Sequence, residues 1–268
     1  MRSRIKSNAP GQAAVPPGIS AGPDIGDSCY AVQFAATPQE IDAVLKLRFE
    51  VFNLELGEGL DSSFATMRDE DEFDAQCHHL LIREKPGGAV IATYRMQTRE
   101  MAQAARGFYS QGEFDLGALP EAVLDASVEV GRACIAKAHR NGRVLFLLWK
   151  GIARYLLAMR KRYLFGCCSL TSQDPAEGKQ VMDYLVDMAL VWENFSVPPQ
   201  PGFVCYPAGF EAPANPDVRL PRLFRIYLDY GARVCGPPAI DRAFKTIDYL
   251  VLLDTARFDR KTYEIFFK

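Results

Sequence analysis

The sequence predicts an α/β fold: one domain in which a mixed central sheet is flanked by helices. Three observations predict it. The chain has 268 residues with 49% hydrophobic content, enough to bury one substantial core in a single domain. Short β-rich runs alternate along it with longer stretches whose apolar residues recur at helical spacing, as expected when helices cover a sheet. Two helix starts are written in full, as a cap, a proline and a glutamate in succession.

Residues 1–28 are rich in Pro, Gly, Ala and Ser without apolar periodicity and read as a disordered tail ahead of a domain over 29–268. The run from Cys29 to Ala35 reads as a short strand. Thr37-Pro38-Gln39-Glu40 places an N-cap, a first-turn proline and a capping-box glutamate before Ile41, Val44, Leu45, Phe49 and Phe52 at helical spacing. After an acidic loop, Cys77–Glu84 and Ala89–Met96 read as an antiparallel hairpin turned at Pro86-Gly87-Gly88. Val128–Ile135 is a further strand, Asn141-Gly142 turns into a long helix from Val144 to about Lys161, and Tyr163–Leu170 returns as a strand. Asp174-Pro175-Ala176-Glu177 launches a helix expected to reach about Asn194. A proline-rich segment, a helix from about Pro221 that stops at Gly231, and a strand around Tyr249–Leu253 complete the chain.

A net charge of −2 and a pI near 6.0 give no global basic field, so nucleic-acid binding has no support from bulk charge. Local charge is uneven. Nine Lys or Arg and no acid lie between Gly131 and Gln173, whereas nine acids face Arg68 alone between Glu50 and Asp74. An anionic partner at one place and a cationic substrate at another would suit this, and two solvated faces would explain it equally. The seven cysteines show no Cys-x-x-Cys spacing, so neither a disulfide framework nor a zinc knuckle is expected. Cys77, His78 and His79 are adjacent on a strand and point to alternate faces, which argues against a shared metal. No apolar leader core and no run of about 18 apolar residues is present, so a reduced, cytoplasmic protein is expected.

Read together, several motifs are specific: Leu47-Arg48-x-x-Val51-Phe52, Asp71-Glu72-Phe73-Asp74, Tyr94-Arg95, Gly107-Phe108-Tyr109-Ser110 with Glu113-Phe114-Asp115-Leu116, and Glu129-Val130-Gly131-Arg132. In this order the chain resembles the ornithine-lipid-type N-acyltransferases, relatives of the acyl-homoserine-lactone synthases and the N-acyl amino acid synthases within the GNAT superfamily. The resemblance runs from about Tyr30 to Asp254. It implies a GNAT-like sheet that splays between its fourth and fifth strands, where a thioester's pantetheine arm enters. The lactone synthases carry a Trp shortly after the Arg-x-x-x-Phe helix, where this chain has Leu56-Gly57-Glu58, and that favours the lipid-forming branch.

Amide formation needs a base, because an amino acid's amine is largely protonated near neutral pH. The resemblance implies a functional carboxylate at Glu129, and the competing reading is an internal pair with Arg132. Exchange of Glu129 for glutamine is expected to leave the fold intact and lower turnover. Backbone N–H groups at a strand bulge over Val130–Ala133 are the candidate oxyanion donors, and no cysteine is needed as a nucleophile. Arg48, Phe52, Asp71, Asp74, Arg95 and Arg132 are assigned by resemblance to acceptor binding and cleft order. Carboxylates can hold a cationic side chain and an Arg can hold a carboxylate, while surface ion pairs are the bland alternative.

The donor's phosphate is expected at the helix N-terminus near Arg140, Gly142 and Arg143. Arg160, Lys161 and Arg162 would extend a basic apron for acidic acyl carrier protein, so the expected donor is the acyl-phosphopantetheine of that carrier, with no bound cofactor and no metal. The leading activity is transfer of a long-chain acyl group, with or without a 3-hydroxyl, to the α-amine of ornithine. The alternatives are another acceptor such as glycine, lactone-type signal synthesis, or a non-enzymatic peripheral membrane protein using Leu145–Trp149 as a lipid-binding helix. The enzyme is expected to associate peripherally with the inner membrane, where an amphiphilic product partitions.

Overall fold

The computed structural model describes residues 25–268; the expectation for residues 1–24 lies outside the described residues. Within the described residues, Asp27, which the sequence reading placed in the tail, is tied to the fold. Its Oδ1 accepts from the amides of Cys29 and Tyr30, and its Oδ2 pairs with Arg143 at 2.5 Å.

The elements follow in the order β1 (Tyr30–Phe34), α1 (Pro38–Phe49), α2 (Ser63–Thr66), β2 (His78–Glu84), β3 (Val90–Thr98), α3 (Arg99–Gln103), α4 (Glu121–Asp125), β4 (Ser127–Ile135), α5 (Gly142–Met159), β5 (Tyr163–Leu170), α6 (Pro175–Asp187), α7 (Arg222–Asp229), β6 (Arg233–Val234), β7 (Ala239–Asp241), β8 (Thr246–Asp254) and α8 (Arg260–Phe267). The strands form one sheet in the order β1-β2-β3-β4-β5-β8-β6, with β7 beside β8. Only β4 and β5 run parallel, so the sheet is mixed, as expected.

Local chemistry explains the boundaries. Thr37 caps α1 and Glu40 closes the box by accepting from the Thr37 amide, which satisfies donors the first turn would leave bare. Gly231, at φ +92°, follows the last turn of α7, a left-handed position where glycine carries no Cβ penalty. The helix expected to reach Asn194 stops at Asp187. Ala189 turns to φ +54°, and Val191 then bridges to Val234 in parallel. Its apolar Leu190-Val191-Trp192 run joins the sheet margin instead of extending a helix.

One face of the sheet carries α5, whose Val144, Leu147, Leu148, Trp149, Ile152, Ala153, Tyr155 and Leu156 are all buried. This face of α5 is the core, so the reading of Leu145–Trp149 as a lipid-binding helix is corrected. Helix α8, not anticipated, lays Phe266 against Trp149 and Tyr230. On the opposite face, α1 covers Leu81 and Val90 while Phe108, Phe114 and Leu116 pack on Phe165, Leu250 and Leu252. No helix among the described residues is long and apolar enough to cross a membrane.

The sheet forks between β4 and β5. They pair only from Ser127–Tyr163 to Glu129–Phe165, although β4 runs on to Ile135 and β5 to Leu170. At the apex, a Cβ on Gly166 would stand 2.1 Å from the Val130 carbonyl oxygen, so only glycine permits this approach. We expect Gly166→Ala to lower stability by about 1–3 kcal/mol through overpacking. A urea unfolding midpoint equal to wild type would show that the strands separate there without cost.

Candidate active site

Beyond the fork lies a cavity of about 340 Å³ that reaches both faces of the sheet. Because side chains alternate along each strand, its two lobes differ. On the α5 face it is lined by Tyr94, Met96, Leu164, Phe224, Tyr227 and Leu253, an apolar lobe. On the opposite face it meets Glu58, Arg95, Tyr109, Glu129, Arg132 and Asp248. A second cavity of about 320 Å³ shares Phe52, Leu56, Tyr94, Ala133 and Leu223 with the first and runs to Arg140 and Asn141 at the start of α5.

A buried ion network forms the wall of the polar lobe. Arg48 is 0% exposed; its Nε donates to Asp69 at 2.7 Å and its Nη1 to Asp74 at 2.6 Å. Arg95 donates to Asp71 at 2.6 Å and to Asp74 at 3.1 Å. Burial pushes the Asp74 carboxyl up, but the Arg48 and Arg95 guanidiniums hold it well below the usual carboxylate range. Asp71 is lowered in the same way, burial opposing Arg95. Neither Arg48, Asp71 nor Asp74 lines the cavity. Of the two roles expected, acceptor binding and cleft order, their contacts are those of cleft order: Asp71 and Asp74 hold Arg95, Arg48 holds Asp74, and Asp71 lies 3.6 Å from Arg132. The π-helical turn Glu50–Glu55 that continues α1 carries Phe52 to the cavity.

Arg132 occupies a bulge. Arg95 stands opposite Gly131 and Thr93 opposite Cys134, so Arg132 and Ala133 share one partner, and Arg132 adopts φ +50°. Its guanidinium lies 4.0 Å above the Phe244 ring and 3.6 Å from both Asp69 and Asp71, while its buried Nε has no hydrogen-bond partner. The Nε faces the Asp69 carboxylate, so the ion network holds the guanidinium from behind while the side chain lines the cavity. The expected bulge over Val130–Ala133 is present, and all four residues line the cavity.

Glu129 sits at the apex of the fork, 6% exposed. Neither role considered from the sequence describes its contacts. Its Oε1 accepts from the Ser110 amide at 2.8 Å and the Ser110 hydroxyl at 2.5 Å; its Oε2 accepts from Gln97 at 2.6 Å and the Tyr109 amide at 2.9 Å. An ionised carboxylate has about four acceptor positions, and all are filled. Glu129 anchors the loop that presents Tyr109 and is not paired with Arg132.

The donor-side residues separate into two groups. Asn141 caps α5 by accepting from the Val144 amide at 3.0 Å, and Gly142 and Arg143 form its first turn. Arg140 pairs with Glu55 and Arg143 with Asp27. Arg160, Lys161 and Arg162 lie past the other end of the 18-residue helix, about 27 Å away at 1.5 Å per residue. Lys161 donates to Glu100 and to the Asp125 carbonyl, and Arg162 to Asp254. The single basic apron is corrected: these three do not surround the second cavity's mouth. His78 and His79 bond in different directions, to the Tyr155 hydroxyl and the Asp74 carbonyl, and burial pushes His79 down to about 4.

Sequence reading missed an acidic group at the far side of the polar lobe. Carboxylate oxygens of Glu113, Asp241 and Asp248 lie within 4.8 Å of one another, all buried. Glu113 stood in a quoted motif, but only the β7–β8 hairpin brings the other two to it.

A sheet forked beside an apolar lobe, with a charged lobe across the strands, defines an acyltransferase of the GNAT superfamily. The acetyltransferase (GNAT) domain family matches residues 47–150. The chain is 30% identical over 232 residues to the L-ornithine N(alpha)-acyltransferase of Rhizobium meliloti (strain 1021), covering 82% of this chain and 78% of that protein. It is 31% identical over 247 residues to the enzyme of the same name from Rhodobacter capsulatus, covering 88% and 94%. The chain belongs to the L-ornithine N(alpha)-acyltransferase family. Among solved structures it resembles FeeM, an N-acyl amino acid synthase from uncultured soil microbes, at 13% identity and a TM-score of 0.45 over 86% of this chain and 93% of that one.

Proposed function

We propose that the enzyme moves a long-chain acyl group from acyl carrier protein to the α-amine of ornithine, giving a lyso-ornithine lipid. The observation that carries this is the cavity crossing the sheet at the fork. An acyl chain fits the apolar lobe, and a zwitterionic acceptor fits the charged lobe, so the two meet where β4 and β5 part. Arg132, which lines the charged lobe, holds the acceptor's carboxylate. The bulge at Arg132–Ala133 offers backbone N–H groups to the developing oxyanion. Arg95 and Phe52 shape the lobe.

The donor's phosphate meets the first turn of α5 at Gly142 and Arg143, where bare N–H groups and the helix dipole favour an anion. From there the second cavity leads to the fork. Gly142 is the only glycine in the Arg140–Arg143 loop, a poor cradle for the pyrophosphate of coenzyme A, which favours a carrier-borne pantetheine. Glu129 remains the proposed proton acceptor, on condition that acceptor binding displaces Gln97 or a loop donor. The protein works in the cytoplasm at the inner membrane surface. Leu54, Leu56, Phe64 and Met67 are exposed on one segment, and Leu56 lines both cavities, which suits delivery of an amphiphile to lipid.

Purified protein with acyl carrier protein charged with matched C16 and 3-hydroxy-C16 chains, offered ornithine or glycine, tests the reading by mass spectrometry. N-alpha-acyl ornithine is expected, with the matched acyl-CoA at least tenfold less efficient. Equal efficiency with acyl-CoA would remove the carrier from the proposal, and glycine acylation without ornithine acylation would remove the acceptor.

A further inference from the structure

The polar lobe ends in acids that the reaction itself does not use. Asp248 lines the cavity from β8 and is 4% exposed. Its Oδ2 accepts from the Thr246 hydroxyl at 2.9 Å, but its Oδ1, fully buried, has no hydrogen-bond partner. Glu113, 4% exposed, stands behind it, within the 4.8 Å cluster that includes Asp241. Asp241 is already engaged, since its Oδ1 accepts from the amides of Ala243 and Phe244. Glu58 approaches from the opposite wall, accepting from the Thr171 hydroxyl. The two arginines that line the lobe, Arg95 and Arg132, pair with Asp69, Asp71 and Asp74 and not with these acids.

Buried carboxylates without a cation are unfavourable unless one keeps its proton. Burial, reinforced by Asp248, pushes Glu113 well above the ordinary carboxylate range. Burial likewise raises Asp248, against the hydrogen bonds that would lower it. The empty lobe therefore holds an acid pair short of one positive charge, with an unpartnered oxygen on the member that faces the cavity.

We propose that the Glu113–Asp248 pair receives the side-chain ammonium of the acceptor amino acid. The inference rests on the reading that the acceptor is a diamino acid such as ornithine. Asp248 and Glu58 line the cavity and accept from the ammonium, while Glu113 behind Asp248 adds its charge. On its arrival the proton kept by the pair goes to solvent and both carboxylates ionise. The bound side-chain nitrogen stays protonated, has no lone pair, and cannot attack the thioester. With the acceptor's carboxylate on Arg132, the α-amine is left as the reactive nitrogen, so the cluster fixes which amine is acylated. A divalent cation is the poorer fit. Calcium takes six to eight oxygens, whereas this cluster offers three carboxylates, one of which caps a turn.

The test measures kcat and KM for L-ornithine and for L-norvaline, which has the same carbon skeleton without the side-chain amine, using one acyl donor. Wild type should prefer ornithine by about 10- to 100-fold, the size of a charge-assisted hydrogen bond. Asp248→Asn should lose most of that preference through a higher KM for ornithine, with norvaline unchanged. Glu113→Gln should do the same, and provides a second readout should the first variant fold poorly. Both are near-isosteric with the protonated acids.

Retention of the preference in both variants would overturn the inference, as would an equal fall in kcat for both amino acids, which would place the cluster on the α-amine. Equal use of ornithine and norvaline by wild type would also overturn it, while leaving ornithine acylation intact. Failure of wild type to acylate ornithine would instead overturn the proposed function, and the inference with it. Thermal unfolding with magnesium or calcium chloride alone is the last arm. Stabilisation by either metal that Asp248→Asn abolishes would make this a metal site and refute the ammonium assignment.

Discussion

Arg48→Met is expected to destabilise the protein by about 3–5 kcal/mol, the cost of leaving buried carboxylates without their cation. Among the described residues, Arg48 alone donates to both Asp69 and Asp74, and no solvent reaches it. Its role has a pH signature. Asp74 titrates in the folded protein well below its ordinary value because of Arg48 and Arg95, against the opposing pull of burial. Stability from a depressed carboxylate is present above the unfolded pKa and is lost as pH falls through the folded one. Wild type should therefore lose stability progressively below about pH 4 to 5. In Arg48→Met only Arg95 still holds the carboxyl down, so the gap between the two proteins should narrow with acid. Urea unfolding at pH 7 and pH 3.5 checks this, and a gap that stays constant or widens would show that the pair contributes no linked charge.

Glu129→Gln should reduce turnover by about 100-fold or more and, contrary to the expectation from sequence, should also weaken the fold. A glutamine has one acceptor oxygen, whereas four donors converge on Glu129. At least one buried donor pair would then face the amide's own NH2 group. Leaving each donor unsatisfied costs about 1–3 kcal/mol, so a loss of about 2–4 kcal/mol is expected by chemical denaturation. Ser110→Ala separates the two roles, because it removes one donor and leaves the carboxylate. Should Glu129 act only as the loop's anchor, Ser110→Ala and Glu129→Gln would lower kcat to a similar extent. Should Glu129 take the proton, Glu129→Gln would cost far more kcat than Ser110→Ala.

Local signals carried the fold far. Thr37, Pro38 and Glu40 marked α1, Asn141 and Gly142 marked α5, and the paired apolar runs marked the β2–β3 hairpin, because caps and strand periodicity act over a few residues. The site was legible where its residues share an element, as with Glu129, the bulge and Arg132 on β4. It was not legible where distance in space contradicts distance in sequence. Arg140 and Arg160 look like one basic stretch until eighteen residues of α5 hold them apart, whereas Glu113 and Asp248 look unrelated until the β7–β8 hairpin folds back. The saturation of Glu129 depends on the Gly107–Gly112 loop docking against it, a tertiary contact with no local spelling. The short α3, α4 and α8 lack the repeated apolar face from which longer helices are read.

The fork has a consequence for how the protein completes itself. Past Glu129 and Phe165, β4 and β5 each run on with no strand partner on the side that faces the other. A sheet ordinarily shows such open edges only at its margins, where they attract a foreign strand and so are short, charged or covered. Here the two edges lie inside the sheet and face one another across the gap. What can enter is a slender extended chain bearing amides of its own, which binds such an edge as an added strand would. With the pantetheine-borne donor proposed above, the empty enzyme is a sheet missing one member, supplied afresh by each donor and withdrawn at each product release. Since a ligand that binds only the folded state raises its stability, the protein's resistance to unfolding should follow the supply of its acyl donor.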